Sequence, residues 1–218
     1  AAPVFESNVG PVRVIEHFGT EAQKQRFLPL VCKGKMQISV GMTEAEAGSA
    51  LTDLRTRATR VEGGWRIDGR KIFCTGGGHS EAYMVYCRFG DQRGAKGIGA
   101  VLIEKGTAGF SFGKQEEFMG LRGFPSCDLI FDNCVVPEEN LIIPPGGFRS
   151  LMECFNIERC GNATMALGIA TGALETATAS ALERKPFGKP IAEPQAIPTM
   201  LADMATRVDA ARLLVYRA

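Results

Sequence analysis

Residues 64–78 read GWRIDGRKIFCTGGG, and this stretch decides the fold class more than any other. Two short β-rich runs, 64–67 and 70–74, flank the pair Asp68-Gly69. Both central residues of a type I′ turn need a positive φ, which Asp and Gly tolerate, so this pair predicts a type I′ hairpin. The glycine cluster 76–78 predicts the end of the second strand.

Working outward, more β-rich runs lie on both sides, separated by turn signals. No helical pattern interrupts them between about residues 37 and 136. Strands in series without intervening helices favour antiparallel pairing, so we expect an antiparallel barrel or sandwich rather than a parallel sheet. The flanking runs are 37–43, 55–61, 82–89, 99–104 and 128–136.

Helical composition appears before and after the β region. Residues 11–34 predict a helix broken at Gly19-Thr20, where Thr20 is an N-cap and Gln23 completes a capping box. After the breaker PPGG at 144–147, residues 149–182 predict a long helix, and another helix begins near Pro194.

The order of elements gives an α+β multi-domain fold class. We expect the end of an N-terminal helical domain at 1–36, an antiparallel β-domain at 37–143 and the start of a C-terminal helical domain at 144–218. The apolar helical stripe continues to Ala218 without a stop signal. We therefore expect the 218 residues to be a segment of a longer protein.

Composition narrows the functional classes. A net charge of +1 argues against a nucleic-acid groove or a polybasic membrane patch. The seven cysteines are odd in number and form no CxxC pair, so reduced thiols are expected rather than disulfides or zinc. No apolar run is long enough to span a bilayer, and residues 1–10 show no signal peptide. We expect a cytoplasmic protein, or a mitochondrial-matrix protein if the source is eukaryotic.

Two strand ends carry residues suited to ligand binding. The loop 41–49 (GMTEAEAGS) is rich in small residues that allow a close approach of backbone N–H groups to an anionic or heteroaromatic ligand. Phe73 and Thr75, before the glycine cluster, could form a stacking platform with a hydrogen-bonding edge. Taken singly, the loop is explained at least as well by an ordinary surface turn. Phe73 and Thr75 are explained at least as well by a hairpin end with a core Phe.

Glu158 is the third candidate. It lies in the stretch FNIERC (155–160), inside an otherwise apolar helix. A partly desolvated carboxylate is a stronger base, so Glu158 is a candidate general base. Most helical glutamates face solvent or pair with an adjacent Arg, and helical context alone favours that alternative.

Jointly, these features resemble motifs of the acyl-CoA dehydrogenase family, in the right order and at the right separations. The resemblance covers nearly the whole chain. The matching stretches are GTEAQK (19–24), FLP (27–29), TEAEAGS (43–49), FCT (73–75), LERKPFGKPI (182–191), PQAI (194–197) and LADM (201–204).

The resemblance implies that the cofactor is FAD. Met42 would lie under the flavin ring and Thr43 would hydrogen-bond to it, while Thr75 would face its reactive N5 edge. The residues matching the family's flavin contacts within one subunit are Met42, Thr43, Gly48, Ser49, Phe73, Cys74 and Thr75.

Other matches imply partners. Arg184, Phe187 and Gln195 match positions that reach the FAD of a neighbouring subunit, which implies a homo-oligomer, a homotetramer or a dimer. The family passes its electrons to an electron-transfer flavoprotein. No nucleic acid and no membrane span are implied.

The implied reaction is the α,β-dehydrogenation of an acyl-CoA thioester to the 2-enoyl-CoA. Most family members place the catalytic glutamate near the C-terminus, but a subgroup typified by isovaleryl-CoA dehydrogenase places it just before an Arg on this helix. Glu158 precedes Arg159 in that way and is expected to be the base. Ser49, Asn156 and Arg159 match positions that contact the acyl-CoA.

This sequence departs from the family pattern in one loop. Ala50 follows Ser49 where Asp is usual, and Ala45-Glu46 replaces a common Pro-Gly pair. These departures keep open a non-catalytic CoA-binding or structural subunit. Two further alternatives stay open on other grounds: a homologue with oxidase or desulfinase chemistry, and a base located in a C-terminal segment outside the 218 residues, where most of the family places it.

Overall fold

The structure is a computed structural model that describes residues 9–218. The first eight residues, and the part of the signal-peptide prediction that falls on them, lie outside this range. The chain divides into two compact units, Ala1–Glu158 and Arg159–Ala218.

The described residues form four α-helices and eight strands. The helices are α1 (Gly10–Phe18), α2 (Glu21–Cys32), α3 (Phe148–Glu183) and α4 (Ala196–Arg217). The strands are β1 (Ile38–Gly41), β2 (Arg57–Val61), β3 (Gly64–Thr75), β4 (Ala82–Phe89), β5 (Ile98–Glu104), β6 (Phe110–Gln115), β7 (Ser126–Pro137) and β8 (Leu141–Ile143).

The predicted break between the first two helices is confirmed. Gly19 separates α1 from α2, and Thr20 is the N-cap of α2. Its hydroxyl accepts from the Gln23 N–H while the Gln23 side chain accepts from the Thr20 N–H, forming the capping box. The Gln23 amide also donates to the carbonyl oxygens of Glu139 and Leu141, which ties α2 to the end of the β region.

The hairpin predicted at Asp68-Gly69 is wrong, because both residues lie inside the continuous strand β3. The extra residue belongs to β7, where the register slips opposite this pair and Asn133 has a φ of 51°. The Asp68 carboxylate accepts from the Asn133 N–H and so stabilises that bulge. The two-residue turn is instead 62–63, between Val61 and its strand partner Gly64.

The sheet is mixed rather than antiparallel, which corrects the expected pairing. Its strand order is β6-β7-β3-β2-β4-β5-β8, and β1 also pairs with β4. Both β1 and β2 run parallel to β4. A parallel pair needs a long crossover, and here residues 42–81, which contain β2 and β3, take the place of a helix. The short strands β6 and β8 were not predicted.

Two apolar cores lie on opposite sides of β4. Alternate residues such as Met84 and Tyr86 pack in a core with α1, α2 and the start of α3, while Tyr83 and Val85 pack in a second core formed by the strands. Because β4 and β5 are buried on both faces, their sequences are apolar throughout instead of alternating.

The second unit contains most of α3 and all of α4. An apolar groove of about 700 Å³ runs between them, lined by small and aliphatic side chains such as Ala166, Leu167 and Val208. Between the helices, Pro186–Gly188 form a short 3-10 turn in which Phe187 has a φ of 58°. The predicted breaker between two helices is therefore confirmed.

All seven cysteines are unbonded, and five of them are buried. Across residues 9–218, no cluster of His, Cys, Asp or Glu has the arrangement of a metal site. In the same residues, every helix is too short or too polar to cross a membrane.

Candidate functional site

A small cavity of about 120 Å³ opens where β1 and β3 end, beside the first turns of α3. It lies within the first unit. Six of the residues predicted from the sequence to bind the cofactor or to act in catalysis line it. The full lining is Ser39, Val40, Met42, Thr43, Ile72, Phe73, Cys74, Thr75, Phe155 and Glu158.

Phe73 presents its ring outward because of an irregularity in β3. One extra residue between Lys71 and Cys74 shifts the register against β7, and Phe73 takes a φ of 53°. Lys71 and Cys74 consequently both point inward, and Phe73 is left 57% exposed. A positive φ on a bulky residue costs about 1–3 kcal/mol and is concentrated at functional sites.

Cys74 and Thr75 differ in how they meet the cavity. Cys74 is buried, its thiol donates to the Ile72 carbonyl oxygen at 3.6 Å, and burial raises its pKa to about 12. This thiol therefore stays protonated at neutral pH and is not a nucleophile. Thr75 is half-buried and pairs with Ser126 on β7, so its position is fixed by the sheet.

The two residues that follow β1, Met42 and Thr43, are hydrogen-bonded to β3 rather than to β4, with which β1 pairs. The Ile72 N–H donates to the Thr43 carbonyl oxygen at 2.9 Å, and the Lys71 ammonium donates to the Met42 carbonyl oxygen at 3.1 Å. The two strand ends that line the cavity therefore form one connected wall.

Behind this wall lies a buried ion pair that was not predicted from the sequence. Lys71 Nζ is 2.8 Å from Glu44 Oε1, and both side chains are almost fully buried. Burial alone would raise the pKa of the Glu44 carboxyl, but the Lys71 charge and donors from Arg55 and Thr56 hold it below its usual 4.5. The signal in the sequence was a Lys at an inward position of β3, where the other buried side chains, Ile67 and Cys74, are apolar.

Glu158 reaches the cavity from α3 and is half-buried. One of its carboxylate oxygens lies against Gly10, at the start of α1, so closely that a Cβ on Gly10 would come within 2.0 Å of it. Tyr86 of β4 lies near the same carboxylate. Burial, with a smaller contribution from the Glu158 charge, raises the pKa of the Tyr86 hydroxyl well above its usual value. Neither neighbour was foreseen from the sequence.

Two N–H groups of the glycine cluster after β3 donate to carbonyl groups of the protein itself. The Gly76 N–H donates to Pro125 and the Gly77 N–H donates to Cys74. Gly76 must also lack a side chain, because a Cβ there would lie 2.2 Å from the hydroxyl oxygen of Ser39. The cluster thus supports the wall of the cavity rather than presenting donors to a ligand.

The loop after β1 folds back in a tight turn, in which Glu44 and Ala47 exchange two backbone hydrogen bonds of 3.1 Å. Gly48 and Ser49 follow it, exposed and outside the cavity lining. Glu46, one of the departures from the family pattern, carries a carboxylate 3.9 Å from the guanidinium of Arg55.

The remaining predicted site residues lie outside the cavity lining. Asn156 is exposed on α3, as is Arg159, which begins the second unit. Arg184, Phe187 and Gln195 belong to the second unit and are exposed, Phe187 completely so.

The cavity thus combines an exposed aromatic ring, the hydroxyl-bearing residues Ser39, Thr43 and Thr75, and a carboxylate. An aromatic face beside hydrogen-bonding groups fits a planar heteroaromatic ring such as a flavin. A half-buried carboxylate at the same cavity fits a base that removes a proton from a bound substrate.

Comparisons with known proteins agree with this arrangement. Residues 39–134 match the profile described as "Acyl-CoA dehydrogenase, middle domain", and residues 145–218 match "Acyl-CoA dehydrogenase, C-terminal domain". An acyl-CoA dehydrogenase of Bacillus subtilis is 44% identical over 94% of this chain and 54% of its own length. A 3-sulfinopropanoyl-CoA desulfinase of Paraburkholderia xenovorans is 39% identical over 99% of this chain and 56% of its own.

Solved structures agree as well. Butyryl-CoA dehydrogenase from Megasphaera elsdenii has a TM-score of 0.95 and 37% identity, covering 98% of this chain and 56% of its own. An FAD complex of PigA has a TM-score of 0.91 and 27% identity, covering 98% of this chain and 56% of its own. The chain spans about half the length of the curated relatives it matches. Two consecutive domain profiles and the shared fold establish that the chain belongs to the acyl-CoA dehydrogenase family.

Proposed function

We propose that the complete protein containing this chain is an FAD-dependent acyl-CoA dehydrogenase that converts an acyl-CoA thioester to the 2-enoyl-CoA. The observation that carries the proposal is the convergence of Glu158 with Phe73 and Thr75 on one cavity. Without Glu158 the cavity would fit a flavin, but it would contain no base.

In this proposal the chain's own residues have separate tasks. Glu158 removes the α-proton of the thioester, and its contact with Gly10 limits where the carboxylate can lie. Phe73 packs against the flavin, while Thr43 and Thr75 hydrogen-bond to its edge. Residues that exclude water strengthen every polar interaction during proton removal. When bound, FAD supplies the acceptor for the β-hydride at its N5 position.

The outer site residues complete the proposal. Met42, Gly48, Ser49 and Cys74 border the flavin, and Ser49, Asn156 and Arg159 contact the acyl-CoA. Arg184, Phe187 and Gln195 reach the FAD of a neighbouring subunit in a homotetramer or dimer. The complete exposure of the Phe187 ring supports that role.

The proposed domains follow the same division. Residues 37–143 form the flavin-binding domain, 1–36 end an N-terminal helical domain, and 144–218 begin a C-terminal helical domain. Electrons pass to an electron-transfer flavoprotein. Buried free thiols support a reducing compartment, the cytoplasm or the mitochondrial matrix.

A desulfinase is the second candidate, because a relative with that name matches 99% of this chain. A desulfinase that cleaves a carbon–sulfur bond has no need of a base for an α-proton followed by hydride loss. Glu158 at the cavity therefore favours the dehydrogenase. An oxidase, by contrast, shares the dehydrogenation step and differs only in its electron acceptor.

One titration separates these functions. The full-length protein is mixed anaerobically with butyryl-, isovaleryl- and palmitoyl-CoA while its visible spectrum is recorded. We expect flavin absorbance that bleaches with at least one of them. A colourless protein would contradict every flavin-dependent function. Sulfite release from 3-sulfinopropanoyl-CoA, without bleaching by any saturated thioester, would establish the desulfinase instead. Rapid recolouring by air would favour the oxidase.

A further inference from the structure

The buried pair Lys71–Glu44 is not part of the cavity lining, but Lys71 donates a hydrogen bond to Met42, which lines the cavity. Lys71 is 0% exposed and Glu44 is 5% exposed. Their charged atoms are 2.8 Å apart. Replacing such a pair with well-packed apolar residues is often neutral for stability, so a buried pair calls for an explanation other than stability alone.

The Glu44 carboxylate is fixed in place by the backbone. Its Oε2 atom accepts from the Arg55 N–H at 2.6 Å, and its Oε1 atom accepts from the Thr56 N–H at 2.9 Å as well as from Lys71. Three donors, one of them charged, leave the carboxylate with a single orientation. It is therefore a rigid anchor for the Lys71 ammonium.

Lys71 uses this anchor to hold the chain after β1. Ladder pairing between β1 and β4 ends at Gly41 and Val85, so the next carbonyl, that of Met42, has no partner in the sheet. The Lys71 ammonium supplies the missing donor at 3.1 Å. A buried carbonyl left without a donor would be costly, so the direction of the Met42 peptide depends on this ammonium.

The same two segments are joined once more by the backbone. The Ile72 N–H donates to the Thr43 carbonyl oxygen at 2.9 Å. The three consecutive residues Met42, Thr43 and Glu44 are thus each bonded to Lys71 or Ile72. The register shift that turns Phe73 outward begins at Lys71. The buried Lys71 side chain therefore holds the wall after β1 directly beside the register shift that exposes Phe73.

We propose that Lys71 and Glu44 are positioning residues for the flavin, which hold the Met42–Thr43 backbone at a fixed separation from Phe73 and Thr75. The inference rests on the proposed flavin-binding function of the same cavity. A site whose walls are fixed in advance loses less conformational entropy on binding and so binds more tightly.

The test compares three variants of the full-length protein. Lys71→Met removes the ammonium but keeps a long side chain, and Glu44→Gln keeps Lys71 but loses an acceptor. Ile67→Ala is the matched control, because Ile67 is fully buried in the same strand but lies outside the cavity lining. For each variant, the midpoint of thermal unfolding is measured first. The FAD dissociation constant and the visible circular dichroism of bound FAD are then measured at a temperature well below that midpoint.

We expect Lys71→Met to weaken FAD binding at least about tenfold and to change the flavin circular dichroism, with a smaller change in Glu44→Gln. Ile67→Ala should keep the wild-type FAD affinity and flavin circular dichroism, even if its unfolding midpoint falls as far as that of Lys71→Met. If Lys71→Met does not fold, Glu44→Gln decides. FAD affinities that follow the unfolding midpoints in all three variants, or that do not change in any, would overturn the inference. A wild-type protein that binds no FAD would instead contradict the proposed function.

Discussion

A carboxylate oxygen of Glu158 occupies the space that a side chain on Gly10 would need, since a Cβ built there lies 2.0 Å from Oε2. Gly10 begins α1, and Glu158 lies on α3, 148 residues later in the sequence. The close approach makes the position of the proposed base depend on a residue that carries no functional group.

The first prediction is that Gly10→Ala slows proton removal. The added methyl group must displace the Glu158 carboxylate, and a displacement of about 1 Å can cost roughly 100-fold in rate. Stability should change little, because the clash is with the end of a flexible side chain, which can move away. Anaerobic stopped-flow reduction of the flavin by acyl-CoA measures the rate.

The matched control is Gly168→Ala, a helical glycine of α3 with no atom of the described chain near the added Cβ. It should leave the rate of flavin reduction unchanged. Equal rates for wild type and Gly10→Ala would show that the contact does not constrain the base.

The second prediction separates backbone strain from the ring of Phe73. Phe73→Gly relieves a positive φ that costs about 1–3 kcal/mol, so the unfolding midpoint should hold or rise. Loss of the aromatic contact, worth about 0.5–1.5 kcal/mol, should weaken FAD binding by up to about tenfold. Fluorescence titration with FAD measures the affinity.

Leu121→Gly is the control for that experiment. Leu121 has a φ of 51° and is exposed, as Phe73 is, but it does not line the cavity. This substitution should preserve FAD affinity. If both variants weaken FAD binding to the same extent, the ring of Phe73 has no particular role.

The third prediction concerns acid stability. The folded protein holds the pKa of Glu44 below its usual 4.5, so the unfolded chain takes up a proton more readily at this residue. The ionised carboxylate therefore adds stability above about pH 4.5, and that stability is lost as the pH falls through the folded pKa. Glu44→Gln should flatten this part of the profile. Unfolding midpoints recorded from pH 6 to pH 3 test it, and parallel profiles would contradict it.

The sequence predicted helices better than strands for physical reasons. The Thr20 capping box is a local device and can be identified within four residues. The prediction of a turn at Asp68-Gly69 failed because the feature that decides the local structure, a bulge at Asn133, lies 65 residues away on the partner strand. The parallel pairs of β4 were missed for the same reason, since no local pattern marks a crossover made of strands.

The candidate site divides in the same way. Phe73, Thr75 and Glu158 were named from motifs, and the structure brings them to one cavity. Gly10 and Lys71 were not named, because a glycine and an inward lysine acquire meaning only from the carboxylates that the fold brings beside them.

The central claim is that Glu158 is the base, and one measurement tests it most directly. Full-length wild type and Glu158→Gln, both loaded with FAD, are mixed anaerobically with the acyl-CoA that bleaches the wild-type flavin, and the rate of bleaching is recorded. We predict that Glu158→Gln keeps its flavin absorbance and bleaches at least about 100-fold more slowly, the usual contribution of a general base. Bleaching at the wild-type rate in Glu158→Gln would contradict the account and assign the base to another residue.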